Sequence, residues 1–221
     1  MVRDKVRIRF RKAGDLRLVS HHDLMRCFER MLRRAELPVH RTEGFHPKPR
    51  LVFALSLGLG IVGQEEVAEL ELDAELPPEE VRDRLARQTP AGLDILSVER
   101  IDPKQGAQVR RVSYRIAFPA QQPNDVPERV ASFLASTEAW AERTRPSPRR
   151  INLRPYVEDL RILPDSLEMD LIVTPGGTAR PDELLRLLGL GDLLASGAVL
   201  ERTKLELHDE SSHLETVKGK A

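Results

Sequence analysis

At 221 residues, with 40% hydrophobic and 32% charged residues, the chain has the make-up of a globular protein with one large core or two of about 100 residues each. The longest uncharged stretch, Leu51 to Gln64, is too short and glycine-rich to span a bilayer, and the opening MVRDKVRIRFRK lacks the apolar run of a secretion signal, so a cytoplasmic protein with no membrane association is expected. Net charge is zero but sorted: Lys/Arg against Asp/Glu run 14 to 6 in residues 1–50, 4 to 12 in 64–102, 11 to 6 in 104–161 and 6 to 11 in 162–221. Two explanations stand open, basic surfaces for a polyanion or lobes that attract one another.

Lys5 to Phe10 alternates charged and apolar residues and predicts an opening strand with one buried face. Ser20, with Asp23 three positions on, resembles a capping box, and Leu24, Phe28, Met31, Leu32 and Ala35 then recur at helical spacing up to Leu37-Pro38. A loop from His40 to Arg50 leads into a strand at Leu51–Leu55, and Val67–Leu72 predicts another. Pro77-Pro78-Glu79-Glu80 opens a helix reaching about Gln88, and Leu93–Ile101 closes the half.

That order is β-α-β-β-α-β, the order of a ferredoxin-like lobe with an antiparallel sheet. The second half is expected to repeat it: strand Val112–Phe118, helix Val126–Ala135, a strand around Trp140, a strand or strand pair over Ile151–Ile162, strand Leu167–Val173, a helix opened by Arg180-Pro181, and strand Val199–Leu207. The expected fold is α+β, with tandem ferredoxin-like lobes at residues 1–103 and 104–208, a linker around Asp102 to Arg111, and a polar tail at 209–221.

Three segments carry candidate chemistry. His21-His22-Asp23 could act in acid–base catalysis or bind metal, but adjacent helical residues point about 100 degrees apart, so capping, partner or anion contact are the stronger readings. His40 to Arg50 alternates basic, aromatic and rigid residues: Arg41, Lys48 and Arg50 suit phosphate, Phe45 and His46 suit stacking on bases, and the prolines lower the ordering entropy. Equally, Phe45 could plug the core. In Arg149 to Glu158, alternation puts Arg150, Asn152 and Arg154 on one strand face, either a ligand platform joined with the first basic loop or the solvated face of an edge strand. No dinucleotide, P-loop or catalytic-triad signature is present, and no catalytic or metal-ligating residue is assigned.

Arg7-Ile8-Arg9-Phe10, Leu18-Val19-Ser20-His21-His22-Asp23-Leu24-Met25-Arg26, Arg33-Arg34-Ala35, Glu43 to Arg50 running into Phe53 to Gly60, and Asn152 to Val157 together resemble the radical SAM-linked protein family, a bacterial domain of unknown function. The resemblance covers residues 3–206. It implies a separate radical SAM protein as partner, with the iron–sulfur cluster and SAM held there and no cofactor here, since one cysteine, Cys27, cannot replace the three thiolates of such a site. The expected function is a non-catalytic accessory or substrate adaptor, with RNA as the candidate ligand of the basic loops. The alternative is a metal-independent endoribonuclease resembling the CRISPR repeat-processing enzymes, against which Gly189-Leu190-Gly191 is short and has no nearby basic residues.

Overall fold

The computed structural model describes residues 4–118, 125–143 and 147–210. The chain is an α+β protein with mostly antiparallel sheet and few helices. It divides into two compact units, one formed by the chain up to Gln108 together with Leu207 onward, the other by Val109–Glu206. The division lies inside the segment expected to link two lobes. His208–Glu210, read from sequence as the end of the second lobe and the start of the tail, forms a 3-10 turn that belongs to the first unit. The rest of the expected tail, 211–221, lies outside the described residues.

The first unit runs β1 (Asp4–Lys12), α1 (His21–Arg34), β2 (Leu51–Phe53), β3 (Val62–Leu72), α2 (Pro78–Ala86) and β4 (Leu93–Ile101). Its strands lie in the order β4-β1-β3 with β2 on the far side of β3, every pair antiparallel. Alternation along β1 sends Val6, Ile8 and Phe10 into the core, where they meet Leu24, Phe28 and Met31 of α1 and Val81 and Leu85 of α2. Each such side chain contributes about 1.5–3 kcal/mol by burial. The opposite face of β1 carries Lys5, Arg7 and Arg9, with Arg7 directly across from Glu69 of β3.

Ser20 caps α1: its Oγ accepts from the Asp23 N–H at 3.2 Å. The Ser20 hydroxyl also donates to Asp23 Oδ2 at 2.7 Å, so the carboxylate is spent on the cap's hydroxyl. The helix stops at Arg34, short of Leu37-Pro38, because Glu36 takes a left-handed conformation at φ 52° and breaks the repeat before proline can. β3 starts earlier than expected and includes Gly63, where a Cβ would lie 2.5 Å from Glu66 Cγ, so any other residue there would displace the Glu66 side chain.

The second unit runs β5 (Val109–Ala117), α3 (Val126–Ala135), β6 (Trp140–Arg143), β7 (Arg149–Asn152), β8 (Val157–Leu163), β9 (Ser166–Ile172), α4 (Pro181–Leu187), α5 (Asp192–Ala195) and β10 (Leu200–Leu207), whose last residue passes into the first unit. Its sheet order is β10-β5-β9-β8, and β6 pairs with β7 in a separate two-stranded ladder. The stretch Ile151–Ile162 is two strands. Asn152 Oδ1 accepts from the N–H groups of Ala139 and Arg154, and Pro155 sits in the 3-10 turn Arg154–Tyr156 between them. Arg154 therefore leaves the strand, and the single face expected for Arg150, Asn152 and Arg154 ends at Asn152.

Candidate functional site

His40 to Arg50 folds back on itself as a short hairpin. Arg50 N–H donates to His40 O at 2.8 Å, Arg41 bridges Pro49, and Thr42 N–H donates to Lys48 O at 2.9 Å while Thr42 Oγ1 accepts from Lys48 N–H. Gly44, at φ 126°, permits the reversal at the tip. The base is tied to β3: His40 N–H donates to Glu71 O, Glu71 N–H donates to Arg50 O, and His40 Nδ1 lies 2.6 Å from Asp73 Oδ1. From Arg41 to Lys48 every residue is exposed, and Phe45, at 102% relative exposure, touches no core. The reading of Phe45 as a core plug is thereby excluded.

A different phenylalanine fills the core beside this hairpin. Phe53 of β2 makes edge contacts with Phe10 at 5.7 Å and Phe28 at 5.2 Å, and the His21 ring packs on it at 5.3 Å. Burial, then the charges of His22 and Lys12, lower the His21 pKa, so this imidazole is neutral at pH 7. His22 is exposed, its ring centre 6.1 Å from that of His21, and the two do not converge on a common ligand. Lys12 is fully buried and its Nζ donates to Val19 O at 2.8 Å, in the segment leading to the cap of α1. The sequence held a signal for it, since Lys12 shares the parity of Val6, Ile8 and Phe10 along β1. Among the described residues no cluster of three or more His, Cys, Asp or Glu side chains could hold a metal ion.

In the second unit Arg150 extends over the Trp140 ring across the β6–β7 ladder, 5.2 Å from its centre. Arg154 donates to Val157 O at 2.8 Å and Leu134 O at 3.1 Å and lies 6.0 Å from the Phe133 ring. Arg154 and Asn152 thus tie the ladder to α3 and β8, while Arg150, exposed on an indole, faces outward. Sequence reading missed Trp140 as the partner of Arg150; the short four-residue strands give too little periodicity to pair them.

The profile of the bacterial family described as "Uncharacterized protein conserved in bacteria (DUF2344)" matches residues 5–181. The chain belongs to this family. The DUF2344 match takes in β1, the capped start of α1, the whole hairpin and the β6–β7 ladder, and it stops at the first residue of α4. No curated protein matches the chain. A crystal structure described as an unknown protein from Galdieria sulphuraria covers 93% of this chain and 99% of its own, at 13% identity and a TM-score of 0.28. No helix among the described residues is long and apolar enough to cross a membrane.

Proposed function

We propose that this protein is a non-catalytic accessory or substrate adaptor for a separate radical SAM enzyme and that it holds single-stranded RNA on the hairpin His40 to Arg50. The observation that carries this reading is Phe45, a fully exposed aromatic ring at the tip of a hairpin bearing Arg41, Lys48 and Arg50 with one acid, Glu43. An exposed ring stacks on any base, and flanking cations follow the backbone, so the pair of features suits a strand held without strict sequence readout. The radical SAM partner, which would carry the iron–sulfur cluster and SAM, follows from the motif resemblance. Two ferredoxin-like lobes are part of the same proposal, supported by the strand orders β4-β1-β3-β2 and β10-β5-β9-β8, in which β6–β7 is an insertion before β8.

The test has two arms. The tagged protein should co-elute at micromolar concentration with a radical SAM protein of the same genome, and separate elution of the two folded proteins would refute the accessory role. Phe45→Ala should weaken single-stranded RNA binding by about 1–3 kcal/mol with an unchanged salt slope, whereas Lys48→Ala with Arg50→Ala should flatten the slope by about 1–1.5. RNA shortened in the presence of a metal chelator would replace this reading with the endoribonuclease alternative.

A further inference from the structure

Four arginines line two adjoining cavities beside α1 and α2, one of them engaged within the fold and three not. Arg84 of α2 is engaged, pairing with Glu80 and donating to Glu36 O at 3.4 Å. Arg30 and Arg34 of α1, one turn apart and so on one face, and Arg87 at the C-terminal cap of α2 are exposed and have no carboxylate or carbonyl partner among the described residues. These three guanidinium groups line one open trough. A cavity of about 290 Å³ bounded by Arg30, Arg34 and Arg87, with Cys27 and Met31 beneath, adjoins a second of about 230 Å³ that shares Arg34, Arg87 and Gln88. Glu36 is the acid in the lining of the second cavity, and Arg84, held by Glu80 and the Glu36 carbonyl, lines it too.

Arginines in the last turn of a helix are commonly explained by the helix dipole. Arg84, in the last turn of α2, has that position and a carboxylate partner besides, Glu80 one turn back. The dipole does not account for Arg30, which lies a turn before the end of α1, and Arg34 and Arg87, though at helix ends, line the trough with it. Three guanidinium groups facing one space repel one another, and an anion placed among them relieves the repulsion while accepting paired N–H donors.

We propose that this trough is a second phosphate-binding site, taking consecutive backbone phosphates of the RNA strand whose bases meet the hairpin. This inference rests on the RNA reading given above. The openness argues for a polymer: in two adjoining open cavities a single small phosphorylated molecule would be left largely uncovered, unlike the enclosed ligands of typical small-molecule sites. Cys27, the chain's one cysteine, lies beneath the arginines and serves as a built-in reporter of occupancy.

The experiment follows alkylation of Cys27 by N-ethylmaleimide in the full chain, with and without a single-stranded RNA of about ten nucleotides. At RNA about ten times its dissociation constant, alkylation should slow about tenfold, and about 0.5 M salt should restore the rate. In Arg30→Ala with Arg34→Ala and Arg87→Ala, RNA should give no protection, and the salt slope of binding should flatten by about 2. The slope is read by fluorescence anisotropy and stands even if Cys27 reacts too slowly to follow. Unchanged alkylation while anisotropy shows RNA bound, or an unchanged slope in the triple variant, overturns the trough. If the triple variant alone is silent and the Lys48/Arg50 variant loses binding, the hairpin reading survives and the trough falls. If the reverse holds, the trough stands and the hairpin reading falls. RNA that does not bind the unaltered protein overturns both.

Discussion

Phe45 and Phe53 are eight residues apart and have opposite fates. Phe53 sits among Phe10, Phe28 and His21, and Phe53→Ala should cost about 3 kcal/mol of stability in chemical denaturation. Phe45→Ala should shift the same transition by less than about 0.5 kcal/mol, because nothing packs on the ring. A large loss in the second variant would mean that the tip is folded onto the protein, and the stacking role would fall with it. Sequence alone could not choose between these fates for Phe45. The choice depends on Arg41 bridging Pro49 and on Gly44 reversing the chain, which turn the ring outward. The cap at Ser20 was legible because capping is local in sequence. One partner of Arg154, the carbonyl of Leu134, was not, being twenty residues away with no pattern linking them.

Among the elements, β6 and α4 are joined by an ion pair between Arg143 and Glu183. Both are nearly fully buried, and the fork is two-pronged, Nε to Oε1 at 2.8 Å and Nη2 to Oε2 at 2.7 Å. Burial alone would raise the Glu183 pKa, but the hydrogen bonds and charge of Arg143 outweigh it and hold the carboxyl below its usual range. Arg143→Met should cost about 3–5 kcal/mol by stranding a buried carboxylate, and adding Glu183→Leu should recover most of that loss, measured by urea denaturation. If the double variant is as unstable as the single one, the pair matters through packing and not through charge. A second link gives a pH signature. Burial would raise Glu206 of β10, yet hydrogen bonds from Arg111, Lys204 and Arg110 push its pKa down to about 2. A depressed carboxyl stabilises the fold above its unfolded value of 4.5, and that stability is lost as pH falls from 4.5 towards about 2. Glu206→Gln should remove at most about 3 kcal/mol of stability at pH 7 and flatten the acid limb of the stability profile in that window. A limb of unchanged steepness would show that other carboxylates carry the acid transition. The element order in the first half was legible because β1 alternates from Lys5 to Phe10 and Pro77-Pro78 marks the start of a helix. In the second half, β6 and β7 are four residues each, and their order comes from pairing and from the Asn152 cap, neither of which has a period.

For the molecule as a whole, the sorted charges have a structural cause that neither reading of the sequence offered. The basic N-terminal block and the acidic block after it meet inside the first unit: Lys5 and Arg7 reach Glu69 at 2.7 and 3.1 Å, Arg50 lies 3.8 Å from Glu71, and Asp4 takes Arg100. The second unit repeats this with Arg111 on Glu206 and Arg161 on Asp170. Even the chain's return at His208–Glu210 is charged, Asp209 reaching the buried Arg7 at 2.8 Å and Glu210 pairing with Arg9. A guanidinium held by a carboxylate is neutralised within the fold and has little to offer a phosphate. Among the cations of the first unit that face solvent without such partners, or with a distant one, two groups are clustered and are what an RNA strand would feel: Arg41, Lys48 and Arg50 on the hairpin, Arg30, Arg34 and Arg87 in the trough. Each phosphate met on a single strand adds about −0.7 to the slope of log affinity against log salt, so these six predict a slope of about −4. Fluorescence anisotropy at several salt concentrations checks it. A slope steeper than about −6 would mean that the paired arginines of the sheet also open to phosphate and leave their carboxylates. A slope flatter than about −1 would mean that neither the hairpin nor the trough follows a phosphate chain, and the exposed Phe45 would need a ligand of another kind.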